Sequence, residues 1–166
     1  DIINDISAMA DEGMAEVAAE LAAPLILMHR RGTPATMQSK TDYVDLLGEV
    51  YSFLEGRIER ARQAGVAQWG IDPGLGFSKT VGGNFLLLKH MRHFAKLGCP
   101  LLVGASRKSF IWKTLGETAN EALEGSIALA VLSRAAGAHI LRVHDVQASC
   151  RALRVADAVL QAEVES

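Results

Sequence analysis

The sequence is poor in cysteine: two thiols, Cys99 and Cys150, in 166 residues. They stand in no metal-ligand spacing, and the reading is two free thiols in a reducing, cytoplasmic compartment. Charge of one sign is also lacking. The formal net charge is −2, which gives no electrostatic case for nucleic acid or an anionic membrane. No apolar run approaches the ~20 residues of a membrane helix, and no signal peptide is visible. Low-complexity segments and domain linkers are missing too; Gly82-Gly83 is a local loop feature. No Gly-rich turn follows the first apolar run, which argues against an open, doubly wound sheet.

What remains is an ordinary globular composition, 49% hydrophobic and 22% charged, enough for one domain with a core. Short apolar runs alternate with helical patterns. The runs are Ile2–Ile6, Leu25–Met28, Trp69–Ile71, Leu101–Val103 and Ile140–Val143. Between them, Val44, Leu47, Tyr51, Leu54 and Ile58 are spaced three and four apart, and so in outline are Leu87, Met91, Phe94 and Leu97. Val146, Cys150, Leu153 and Leu160 continue the pattern, and Gly65, Gly98 and Gly137 stand where helix C-caps want a left-handed residue. This predicts an α/β fold of five β/α units with parallel strands and right-handed crossovers. The strand ends near residues 6, 28, 72, 104 and 143 recur about every 34 residues. Eight such units would fill about 274 residues, close to the ~250 of a TIM (β/α)8 barrel. The expectation is therefore a partial barrel, a single domain over 1–166. The chain opens on the strand-like "DIINDIS" without an initiator Met, and Asp1 is expected to be a cut edge with about three units missing before it.

Polar residues collect after each strand. They are Asn4, Asp5 and Ser7; then His29, Arg30 and Arg31; then Asp72, Gly74, Gly76 and Lys79; then Ser106, Arg107 and Lys108; then Arg142 and His144. In a barrel all of these share the face where active sites are built. Arg142 and His144 flank Val143, so strand alternation puts both on one side. Two readings stand: an anion site, with phosphate favoured, or an ion pair with Asp145. Asp72 before Pro73 is either a turn former or a carboxylate held to accept two parallel N–H bonds from a planar heterocycle. His29 is read as a structural hydrogen-bonder, and His90 and His93 as part of a solvated helix face. Lys79 and Thr80 lack the spacing of a phosphate loop, and that reading is set aside.

Together the segments "DIINDIS", "LMHRRGTPATMQ", "DPGLGFSKT", "GASRKSFI" and "ILRVHDV" resemble, in order and spacing, the dihydropteroate synthase family from its fourth barrel strand onward. The resemblance implies condensation of 6-hydroxymethyl-7,8-dihydropterin pyrophosphate with p-aminobenzoate to give 7,8-dihydropteroate and pyrophosphate. By motif, Asn4 and Asp72 correspond to pterin hydrogen-bonders, and Met28, Gly76, Phe77 and Gly104 to the pocket lining. Lys108 corresponds to the lysine between pterin and p-aminobenzoate, Ser106 to the p-aminobenzoate carboxylate contact, and Arg142 with His144 to the pyrophosphate cradle. Asp72, Lys108, Arg142 and His144 are the expected catalytic set, and Arg107 is expected to be structural. Mg²⁺ is implied with the pyrophosphate, with no metal ligand expected in these residues. The resemblance further implies small-molecule substrates, a cytoplasmic homodimer formed through late helices, and a sulfonamide target. Ser78 departs from the family, which often has Gly there. Alternatives of another kind are a pterin-binding fragment without turnover and a methyltetrahydrofolate-dependent corrinoid methyltransferase domain.

Overall fold

A computed structural model describes residues 1–163 of the chain. Five short strands alternate with helices: β1 (Ile3–Asp5), α1 (Met14–Glu20), β2 (Leu25–Met28), α2 (Leu46–Gln63), β3 (Trp69–Asp72), α3 (Val81–Lys89), β4 (Leu102–Val103), α4 (Ser109–Leu115), α5 (Leu123–Ala135), β5 (Ile140–Leu141) and α6 (Val146–Leu160). Every strand pairs in parallel with its sequence neighbour. β1, β2 and β3 form one ladder, β4 and β5 another, and a parallel bridge from Ile71 to Leu101 joins them. Parallel neighbours in sequence order with helical crossovers are the arrangement of a TIM barrel, here an arc of it.

The central strands β2, β3 and β4 are buried on both faces, as parallel strands under helices are, while β1 and β5 at the ends of the arc are only partly buried. All four residues of β2 are buried. The core between strands and helices is filled by Leu25, Leu27, Ile71, Leu101 and Val103 from the sheet, with Val50, Leu54, Leu87, Phe94 and Phe110 from the helices. Asp45 caps α2 by accepting from the Gly48 N–H at 3.1 Å. The three glycines expected at helix ends all have positive φ, between 68° and 98°.

Two helical expectations need correction. Val44 is fully exposed and precedes α2, because the chain turns at the Asp45 cap. The stretch through Met91, Phe94 and Leu97 does not continue α3 but tightens into a 3₁₀ helix, Met91–Leu97, with Met91 and Phe94 still buried. Strands β1, β4 and β5 are shorter than their apolar runs, whereas β2 matches its run and β3 extends one residue further, to Asp72; β5 ends at Leu141, so Arg142 and His144 lie just beyond it.

Because the strands are parallel, their C-terminal ends face one way. The opposite ends line an open cleft of about 420 Å³ with Ile2, Pro24, Ile26, Trp69, Pro100 and Ile140. That larger concavity has almost no converging polar groups, so the chemistry is sought at the other face.

Candidate active site

At the C-terminal ends a cavity of about 230 Å³ gathers a residue from every strand or the loop after it. Asn4 comes from β1, Met28 from β2 and Asp72 from β3; Phe77, Gly104, Lys108 and Arg142 come from the loops after β3, β4 and β5, and Ile6 completes the wall. Strand alternation separates neighbours here: Asn4 faces the cavity while Asp5 is buried behind it, accepting from the backbone N–H groups of Ser7 and Met9.

Asp72 is the buried acid of the site. Its Oδ1 accepts from the Gly74 N–H at 2.7 Å. Burial pushes its carboxyl up to about 6, against the pull of that N–H and of the cations Lys79, Lys108 and Arg142. Lys108 reaches across the loop with its ammonium 3.9 Å from the centre of the Phe77 ring, a cation–π contact. Burial lowers its pKa, opposed by the Asp72 charge. The approach needs a glycine at 76, where φ is +78° and a Cβ would lie 2.8 Å from Lys108 Cδ.

Sequence reasoning counted Lys79 among the strand-end polar residues, set aside a phosphate-loop role for it and gave it no other; the structure buries it under the loop. Its Nζ donates to the carbonyls of Phe77 (2.9 Å) and Gly74 (3.0 Å) and to Nδ1 of His29 (3.0 Å). Burial brings this ammonium down to about 7 and, with the nearby Lys79 and Arg31 charges, the His29 imidazole down to about 3. His29 is thus the structural hydrogen-bonder expected, its ring edge-on to Phe53 at 4.9 Å. Buried Asn84 was also missed; its Oδ1 accepts from the Gly76 N–H at 2.6 Å. No local sequence signal marks either residue, since a loop lysine and a helix asparagine ordinarily read as solvated.

Ser106 and His144 stand beside the cavity and engage each other. The Ser106 hydroxyl accepts from the His144 backbone N–H at 3.2 Å and lies 3.1 Å from its Nδ1. Asp145 pairs with Arg107 rather than with Arg142 or His144, through Nε at 3.0 Å and a second guanidinium nitrogen at 2.7 Å. Arg107 has φ 56° and gives its N–H to Ser126 Oγ. Arg142 makes no ion pair among the described residues. Ser78 has φ 48°, the left-handed region in which glycine is at ease and a serine is strained. Its Oγ takes the Arg31 N–H at 2.9 Å.

The donor set does not fit a divalent metal. Asp72 faces three cations, and no group of three His, Cys, Asp or Glu side chains among the described residues is placed to hold one.

Residues 1–144 match the family described as "Pterin binding enzyme". The chain belongs to the pterin-binding enzymes. The dihydropteroate synthase of Escherichia coli (strain K12) is 44% identical over 164 residues, which is 98% of this chain and 58% of that protein. Two solved structures are similar at a TM-score of 0.92. One is the Thermus thermophilus dihydropteroate synthase in complex with 6HMPPP, at 38% identity over 96% of this chain and 64% of that one. The other is the same enzyme in complex with 4-aminobenzoate, at 39% identity over 95% of this chain and 62% of that one. The chain thus spans a little under two thirds of the relatives it matches.

Proposed function

We propose that the chain carries the pterin and leaving-group portion of a dihydropteroate synthase site, which joins 6-hydroxymethyl-7,8-dihydropterin pyrophosphate to p-aminobenzoate. The observation that carries this reading is a buried carboxylate, Asp72, that shares one cavity with Lys108 and Arg142 and has the Lys79 ammonium nearby beneath the loop. A pterin edge offers an amino group and a ring N–H side by side, and one carboxylate accepts both; exclusion of water strengthens the pair. Relatives named for this synthase, and structures of one with 6HMPPP and with 4-aminobenzoate, support the same substrates.

In this reading Asp72 and Asn4 hold the pterin between Met28 and Phe77. The aniline nitrogen forms a bond to the pterin methylene as the carbon–oxygen bond breaks and pyrophosphate takes the electron pair; the nitrogen's extra proton leaves to solvent. The demands on the protein are alignment and stabilisation of the departing anion rather than a strong base. Arg142, without an ion-pair partner among the described residues, receives the pyrophosphate beside His144. Lys108 bridges the two substrate positions. Ser106 meets the p-aminobenzoate carboxylate by turning its single hydroxyl proton away from His144. No step is assigned to Mg²⁺, for which these residues offer no ligand set. The homodimer reading is supported by exposed Leu132, Val155 and Val159 on α5 and α6, and the reducing, cytoplasmic setting by two free thiols.

The test is pyrophosphate release from the pterin ester with and without p-aminobenzoate. Release that depends on p-aminobenzoate is expected. Release that ignores it, or no release, contradicts the assignment of turnover.

A further inference from the structure

The loop that presents Asp72 is tied down from beneath by a side chain that does not line the cavity. The Lys79 ammonium has three protons and three close acceptors: the Phe77 carbonyl at 2.9 Å, the Gly74 carbonyl at 3.0 Å and His29 Nδ1 at 3.0 Å. An ammonium only donates, so Nδ1 accepts and the His29 ring proton sits on Nε2. His29 is itself anchored, its backbone N–H donating to the Asp72 carbonyl at 2.9 Å. The loop lies hard against this strand, since a Cβ at Gly74 would sit 1.9 Å from the His29 carbonyl oxygen. Lys79 therefore joins His29, just after β2, to both ends of the Gly74–Phe77 turn, which follows directly on the Asp72 that carries the carboxylate.

We propose that Lys79 is a positioning residue: its buried ammonium locks the Asp72–Phe77 loop onto His29 and keeps the Asp72 carboxylate ionised for the pterin edge. The inference rests on the pterin reading of the cavity for its functional half and on the hydrogen-bond geometry alone for its structural half. The titratable and charged groups facing Lys79 are Asp72 from β3, Arg31 and the neutral His29 from the loop after β2, and Lys108 from the loop after β4. Those facing Asp72 are Lys79, Lys108 and Arg142. Removing the Lys79 charge takes away a cation that holds the Asp72 carboxyl down, so the variant's Asp72 protonates at higher pH.

The experiment compares the wild-type chain with Lys79→Met and, as a gentler variant that keeps the ammonium, His29→Phe. Amide hydrogen exchange on the unliganded chain reads the loop. Exchange at Gly74, Gly76 and Phe77 is expected to quicken about tenfold or more in Lys79→Met, with Leu27 and Ile71 in the core unchanged. If Lys79→Met fails to fold, His29→Phe decides, with smaller acceleration at the same amides. Unchanged loop exchange in the folded variant overturns the proposal whether or not the chain binds a pterin.

Titration with 6-hydroxymethylpterin from pH 6 to pH 8 then reads the charge. If Asp72 becomes a tenfold weaker acid, the ratio of the variant's Kd to the wild type's falls about fivefold between pH 6 and pH 8. A loss of affinity constant across that range signals a merely structural lysine and overturns the electrostatic half. Loosened loop amides in a chain whose wild type binds no pterin would leave the locking role standing and overturn the pterin reading instead.

Discussion

At the scale of single residues, the site is a set of side chains held at odds with water. Asp72 is 6% exposed and Lys79 is 6% exposed, where isolated charges are costly unless hydrogen-bonded. Arg142 is different: it is exposed and reaches the cavity of Asp72, as suits a group that would meet a multiply charged pyrophosphate ester from solvent. Arg142→Ala is accordingly expected to weaken binding of the pterin pyrophosphate by about tenfold or more. Its effect on the free pterin alcohol should be small, and paired titrations with the two ligands check this. Equal losses would remove Arg142 from the anion site. Asp72 and Arg142 were legible in the sequence as strand-end candidates, though residue type and position left each with two readings and only the family resemblance chose between them. For Lys79 no role was legible. Its burial depends on two loop carbonyls and an imidazole from another strand, which no local pattern announces.

At the scale of elements, the loop after β3 is held by the Lys79 ammonium, the Asn84 amide and close packing on His29. Gly74 and Gly76 both have positive φ, but what surrounds them differs. A Cβ at Gly74 meets the His29 backbone oxygen at 1.9 Å, whereas at Gly76 it meets the flexible stem of Lys108. Gly74→Ala is therefore expected to cost more than about 2 kcal/mol in denaturant unfolding, and Gly76→Ala about 1 kcal/mol, chiefly backbone strain. The order of the two is the content of the prediction; the reverse order would mean that the loop stands off from β2. The helices were less legible than the strands. The buried stripe of α5 is made of Ser126, Ala130 and Ser133, small or polar residues that carry no hydrophobic period. Helix α1 has seven residues and buries only Ala15 and Ala18, too short and too alanine-rich for periodicity to reveal. The central strands stood out because burial on both faces leaves unbroken apolar runs, as in Leu25–Met28.

At the scale of the whole molecule, the buried groups of the site set how stability varies with pH. Asp72 is raised from 3.8 to about 6 by burial. Between those values the folded chain holds a proton that the unfolded chain has lost, so its contribution falls as pH rises through 6. His29 runs the other way: lowered from 6.5 to about 3 by burial first, it adds stability as pH rises over that interval. Lys79, lowered from 10.5 to about 7 by burial, adds stability as pH rises above 7. Asp72→Asn is thus expected to melt higher than the wild type at pH 8, on the order of 5 °C, with the difference closing towards pH 4. Thermal unfolding of the two chains across that range checks the sign. A difference that is absent at pH 8, or that grows towards pH 4, would mean that the Asp72 carboxylate is not a strained, buried charge.

The same substitution tests the central claim, that Asp72 in this cavity is the anchor for a pterin. Calorimetric titration of the 166-residue chain and of its Asp72→Asn variant with 6-hydroxymethyl-7,8-dihydropterin at pH 8 is the direct measurement. Saturable one-to-one binding is predicted for the wild type, with a loss of about tenfold or more in the variant. Equal affinity in the two chains, or no binding by the wild type, would contradict the account.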